Sequence, residues 1–150
     1  MATTQLSDEA LVERFAPIRV DHDNKDLYRG WLEHELRLNR CSDCGRWHHP
    51  PRPMCPACWS WNVLPTPVSG RGTVHLRMLL HQGPPAPGVD YGQGPHPVVV
   101  VELSEQPGLR YTSTMVGCSA DQIRIGMPVE LTWIERRGAP FPVFQPAGPA

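Results

Sequence analysis

The apolar positions along the chain change period twice. Leu27, Trp31 and Leu32 fall on one face of a 3.6-residue repeat, Asn24 offers a side-chain oxygen as a cap, and Asp23 and Asp26 suit the positive end of the dipole. This spacing predicts a helix over 25–34. Leu36 and Leu38 then alternate with Arg37, Asn39 and Arg40, which predicts a short strand running into Cys41. From Cys41 to Leu64 periodicity disappears and Cys, Pro, Trp and His dominate. Alternation returns after Gly70, predicting strands over 72–80, 98–104, 109–116, 129–135 and 141–145. Between the third and fourth of these, Ser119-Ala120-Asp121-Gln122 predicts a capped short helix ended by Gly126.

Five strands with a small helix between the third and fourth have the layout of an OB-fold, a partly open five-stranded barrel. The expected fold is mainly β: an N-terminal helix, a rubredoxin-like zinc ribbon and a C-terminal five-stranded OB-fold barrel. The expected divisions are an arm or loose helix over 1–23, helix plus ribbon over 24–66, and the barrel over 67–150. The stretch Gly83–Pro97 holds five Pro and four Gly and predicts one long loop.

Composition narrows the picture. With 150 residues there is room for one ordinary domain or two small ones, and 33 Leu, Ile, Val and Phe make a thin core. The 18 Pro and 13 Gly agree with many turns. A net charge of −1 provides no surplus for holding a polyanion over the whole surface, which disfavours a generic nucleic-acid binder. Residues 1–9 carry acid where a signal peptide needs a basic and then an apolar region, and the longest apolar run is Val98–Val101. A cytoplasmic protein without a membrane span is expected, and in that compartment paired cysteines bind metal more often than they form disulfides.

The strongest chemical signal is Cys41-Ser42-Asp43-Cys44-Gly45, followed by Cys55-Pro56-Ala57-Cys58. Two C-x-x-C pairs let four thiolates converge on one ion, and Gly45 can adopt the left-handed turn such a knuckle needs. The segment cannot build an apolar core, so metal binding, worth on the order of 10–16 kcal/mol, has to hold it. Zn2+ in a closed structural site is expected. The same sulfurs suit iron in a rubredoxin-like electron carrier, and a redox disulfide pair is the other alternative. His48 and His49 are surplus to a shell of four cysteines. Trp47, Trp59 and Trp61 are expected to cover the knuckles, and Cys118 to be a buried structural thiol. The apolar face of Leu27 and Trp31 calls for cover, from the ribbon or from a partner protein. Arg37, Arg40, Arg46, Arg52 and Arg71 cluster in sequence around the ribbon. Guanidinium groups suit bidentate contact with phosphate, so a nucleotide-bearing cofactor is a candidate ligand. No catalytic triad, phosphate loop or dinucleotide fingerprint is present in the sequence, and no catalytic residue is assigned.

Leu36-x-Leu38-x-Arg40-Cys41-x-x-Cys44-Gly45, Pro50-x-Arg52-x-x-Cys55-Pro56-x-Cys58, Ser69-Gly70-x-Gly72-x-Val74 and Ile125-Gly126-x-Pro128-Val129 occur in order. Together they resemble the zinc-ribbon and OB-fold accessory proteins of acyl-CoA metabolism, long catalogued as domain of unknown function thirty-five. The resemblance spans residues 24–145. It implies a non-catalytic subunit in a hetero-oligomer with a thiolase-like or lipid-transfer-like enzyme that acts as an acyl-CoA aldolase or acyltransferase, including in steroid side-chain retro-aldol cleavage. It also implies a structural metal on Cys41, Cys44, Cys55 and Cys58, and a barrel side that helps form the passage for coenzyme A. Arg46, Arg52 and Arg71 are the candidate contacts to that cofactor, whose acyl thioester is held mainly by the partner. The alternative from a different class is a single-stranded nucleic-acid-binding OB-fold, which one Lys and few barrel aromatics disfavour.

Overall fold

The computed structural model describes residues 5–81 and 89–148. Two compact units divide the chain, Met1–Pro67 and Val68–Ala150. No helix among the described residues is long and apolar enough to cross a membrane.

The first unit opens with α1 (Asp8–Phe15), whose N-cap Ser7 accepts a hydrogen bond from the Ala10 amide at 3.2 Å. It packs on α2 (Lys25–Leu32) and buries Leu11 and Phe15 against Leu27 and Trp31, all less than 10 % exposed. Phe15 meets Trp31 edge-on with ring centroids 5.9 Å apart and lies 5.1 Å from Tyr28. The apolar face of α2 is therefore covered in large part by the chain's own N-terminal segment, and the ribbon strands that follow also pack on α2. Asp8 reinforces the pairing from outside, binding Lys25 at 3.1 Å and also Arg29. Those two cations, Lys25 foremost, hold its carboxyl below the usual range.

Both ends of α2 differ from expectation. Asn24 makes no capping bond. Its Oδ1 instead accepts from the Asp21 amide at 2.8 Å and its Nδ2 donates to Arg19 O, because a turn built on Asp21 Oδ1 pulls the side chain backwards. The helix stops at Leu32 rather than His34. His34 (φ +57) takes the left-handed position, with His34 N–H bonded to Trp31 O and Glu35 N–H to Gly30 O. This is a Schellman closure made without the glycine that would have announced it.

Glu35 then leads into β1 (Arg37–Cys41), the middle strand of a three-stranded antiparallel sheet with β2 (Trp47–His48) and β3 (Val63–Pro67). Leu36 and Leu38 are almost fully buried, as alternation demands.

In the second unit, β4 (Arg71–Leu80), β5 (His96–Leu103), β6 (Arg110–Ser113), β7 (Pro128–Arg136) and β8 (Ala139–Pro146) form one antiparallel sheet in the order β6-β5-β4-β7-β8. The sheet curls until its ends meet. Met115 and Phe144 form a parallel bridge, with Val116 N–H to Phe144 O at 2.8 Å and Phe144 N–H to Thr114 O at 3.0 Å. The five expected strands are all present, and the curled sheet has the OB-fold arrangement. Val74, Val99, Val101, Leu103, Ile123, Val129, Val143 and Phe144 fill the interior. β4 pairs with β5 from Gly72 to Leu80, shifting register around His75, but with β7 only over Arg71–Thr73. Beyond that point a 3-10 turn, Ala120–Gln122, lies near β4, and Arg77 donates to Ala120 O and Ile123 O at 3.2 and 3.3 Å. This turn is the expected short helix. It ends at Gln122 because Ile123 swings into the core, leaving Gly126 (φ +86) to turn the chain into β7. Of the long loop, residues 82–88 lie outside the described residues. Its remainder contains a 3-10 turn, Tyr91–Gln93, capped by Asp90, which accepts from the Gly92 amide at 2.8 Å.

Candidate metal centre

β1 delivers Cys41 to the start of the first knuckle, and the chain returns through Arg46 into β2. Cys41 N–H bonds Arg46 O at 2.9 Å, and Gly45 N–H bonds Cys41 O at 2.9 Å. The second knuckle repeats this pattern residue for residue. Cys55 N–H bonds Ser60 O at 2.9 Å, and Trp59 N–H bonds Cys55 O at 3.0 Å. In each, the residue four after the first cysteine is left-handed: Gly45 at φ +75 and Trp59 at φ +66.

The four Sγ atoms lie within 4.8 Å of one another, with Cys41 and Cys58 at 3.6 Å and Cys44 and Cys55 at 3.7 Å. Zinc–sulfur bonds of about 2.3 Å in a tetrahedron require sulfurs about 3.8 Å apart, so the set fits one such ion. Cys41 and Cys55 are buried, whereas Cys44 and Cys58 face solvent. Their acidities are uneven. The Cys44 amide lowers the Cys41 thiol, and the Cys58 amide brings Cys55 down to about 7. At Cys58 the Ser60 amide favours the thiolate, but the sulfurs around it and loss of water push it up to about 12. Four sulfurs held this close cannot all ionise against one another; a dication relieves the repulsion.

Asp43 joins the two knuckles. Its Oδ2 accepts from Ser60 Oγ–H and from Asn62 Nδ2–H, the latter at 3.0 Å, while Ser42 N–H bonds Asn62 O at 2.8 Å. Sequence reasoning missed Asp43, and named Trp59 only as a cover and not as the left-handed residue of the second knuckle. The equal spacing Cys41 to Gly45 and Cys55 to Trp59 is the signal that could have found the second.

His48 and His49 stay outside the sulfur cluster. His48 Nε2 lies 3.4 Å from Asn39 Nδ2, which donates to Arg52 O at 3.0 Å. Of the three tryptophans only Trp47 is buried; Trp59 and Trp61 are 73 % and 71 % exposed, so neither is the buried cover expected of it, although Trp61 still lines a shallow cavity with Asn39, Arg52 and Val63. The arginines divide. Arg37 is occupied by Glu33 and Glu35, and Arg40 lies 5.4 Å over the Trp47 ring. Arg46 and Arg52 are exposed in the ribbon, and Arg71 is exposed at the start of β4 in the other unit. Cys118 is half-buried rather than buried, lining an open cavity of about 710 Å³ with Arg77, Met115 and Arg124.

Comparison with known proteins agrees with this geometry. Residues 29–63 match the family described as "ChsH2, rubredoxin-like zinc ribbon domain" and residues 65–134 that described as "ChsH2, C-terminal OB-fold domain". The chain is 36 % identical over 131 residues to the "Probable enoyl-CoA hydratase alpha subunit" of Thermomonospora curvata, covering 87 % of this chain and 39 % of that one. It is 35 % identical over 116 residues to the 3-oxo-4,17-pregnadiene-20-carboxyl-CoA hydratase alpha subunit of Mycobacterium tuberculosis, covering 75 % and 34 %. It thus spans little more than a third of the length of these two relatives. A DUF35 domain-containing scaffold protein of Methanocaldococcus jannaschii is 33 % identical over 113 residues, covering 71 % of this chain and 76 % of that one. A chain of the solved "Ltp2-ChsH2(DUF35) aldolase" superposes with a TM-score of 0.76 at 35 % identity, covering 86 % of this chain and 98 % of that one. The chain therefore belongs to the DUF35 family of ChsH2-type proteins, in which a rubredoxin-like zinc ribbon precedes an OB-fold.

Proposed function

We propose that this protein is a non-catalytic accessory subunit of an acyl-CoA complex, docking as a hetero-oligomer on a thiolase-like or lipid-transfer-like enzyme that cleaves or transfers the acyl chain. The observation that carries this reading is the match over 98 % of a chain of the solved Ltp2-ChsH2(DUF35) aldolase. The names of two hydratase relatives, both with CoA in them and one a steroid acyl thioester, support an acyl-CoA substrate and side-chain retro-aldol cleavage. Cys41, Cys44, Cys55 and Cys58 hold Zn2+, which supplies cross-linking rather than reactivity, since four thiolates leave no open position. The barrel unit helps form the passage for coenzyme A, and Arg46, Arg52 and Arg71 contact its phosphates. The cytoplasm is the compartment that suits four reduced thiols and this substrate.

Co-expression with a lipid-transfer-like chain from the same source tests the reading. A stable hetero-oligomer is expected, with retro-aldol activity that drops when this subunit is omitted. A partner fully active alone would overturn it. Replacing Arg46, Arg52 and Arg71 together by alanine should raise KM for the CoA thioester while leaving assembly intact.

A further inference from the structure

The two knuckles repeat one backbone design, but the link between them is not repeated. The third residue of the first knuckle is Asp43; its counterpart in the second is Ala57, which carries no polar side chain. Both donors to the Asp43 carboxylate, Ser60 and Asn62, lie on the exit of the second knuckle, and Ser60 Oγ in turn accepts from Asn62 N–H at 3.0 Å. That exit follows Trp59, a side chain held at φ +66 where the first knuckle uses glycine. A left-handed tryptophan is disfavoured by the approach of its Cβ to the backbone, and 73 % exposure provides little packing in return. The turn is kept by Trp59 N–H to Cys55 O, by Cys55 N–H to Ser60 O, and by whatever fixes Ser60. Among the described residues, the polar side chain reaching Ser60 from the first knuckle is Asp43.

We infer that Asp43 is a positioning residue of the metal centre. It clasps the exit of the strained second knuckle against the first, keeps Cys55 and Cys58 at their spacing from Cys41 and Cys44, and so sets how slowly a bound ion leaves. The inference rests on the four-sulfur reading above. It assigns no ligand role to Asp43, which acts through Ser60 and Asn62. Relaxation of Trp59 towards the right-handed region would carry the Trp59 and Ser60 backbone away from Cys55, and the clasp opposes that movement.

The test is zinc release from the full-length protein to a pyridylazoresorcinol dye, with the ligand-field bands of the Co2+ form as a second readout. Asp43→Ala should release zinc on the order of ten-fold faster than the natural chain and shift the Co2+ bands, while the melting of the barrel unit stays unchanged. Asp43→Asn, which keeps an acceptor oxygen, should fall between the two. Adding Trp59→Gly to Asp43→Ala should recover most of the loss, because a glycine knuckle needs no clasp. Equal release from Asp43→Ala, slower release from Asp43→Asn than from the natural chain, or no recovery by Trp59→Gly would each overturn the inference. Should Asp43→Ala fail to fold, Ser60→Ala removes one donor and answers the same question. A natural chain that takes up no stoichiometric metal would remove the four-sulfur reading itself, whereas a metal-loaded natural chain indistinguishable from Asp43→Ala would remove this inference alone.

Discussion

Burial pushes His49 down to about 4, with the neighbouring His48 adding to the effect. In an unfolded chain a histidine takes up its proton at about pH 6.5, so between these values the unfolded state binds a proton that the folded ribbon refuses. The stability of the first unit is therefore fully retained above about pH 6.5 and lost as pH falls towards 4, by about 3 kcal/mol in all. Imidazole NMR should show His49 still neutral at about pH 5; protonation near pH 6 would contradict the burial. A second residue-scale constraint is Gly72, where an added Cβ would lie 2.3 Å from Glu102 O and 2.7 Å from Val101 Cγ1. Gly72→Ala must part β4 from β5 and should cost about 1–3 kcal/mol, seen as a lower urea midpoint for the barrel unit. The sequence singles out Gly72 as part of a motif. Its reason, the approach of a neighbouring strand, is visible only in three dimensions.

At the scale of elements, what could be read from the chain depended on how far each element's pattern stands on its own. The barrel strands announce themselves because alternation and β-branched residues accumulate over four to ten positions. α1 did not. Its eight residues are too few for a stable helix in isolation, and Leu11 with Phe15 makes only one apolar pair to count. What settles it is packing, with Phe15 lying between Tyr28 and Trp31 of α2. Phe15→Ala should therefore destabilise the first unit by about 3–5 kcal/mol, reported by an earlier red shift of Trp fluorescence in urea. A midpoint equal to that of the natural chain would show that α1 only rests on α2. The two differences at α2 are both local: at the start the Asp21 carboxylate draws Asn24 away from its cap, and at the end His34 takes the left-handed position of a backbone closure that usually falls to glycine.

The whole molecule rests on two different supports. The barrel unit has an apolar interior, while the stretch 41–64 has cysteine sulfurs and a few backbone bonds. Chelation of the metal, or Cys55→Ser, should melt the ribbon and leave the barrel transition in place, resolved as separate losses of amide dispersion by NMR. Cys118→Ser should retain the metal and partner assembly. Simultaneous unfolding of both units on chelation would contradict the division. The cluster of four cysteines was legible because C-x-x-C spacing is a property of sequence. The Asp43 clasp was not, because it is a property of the folded knuckles, and the left-handed turn at Trp59 shows in the sequence only through the spacing it shares with Gly45. The barrel also has a breach in its wall, since β4 runs on past its last rung with β7 and Arg77 ties the Ala120–Gln122 turn beside it. A bare strand edge from Leu76 to Leu80, with Leu76 and Met78 already exposed, is a template on which other chains stack and precipitate. The Ala120–Gln122 turn, tied down by Arg77, is what the chain sets beside that edge.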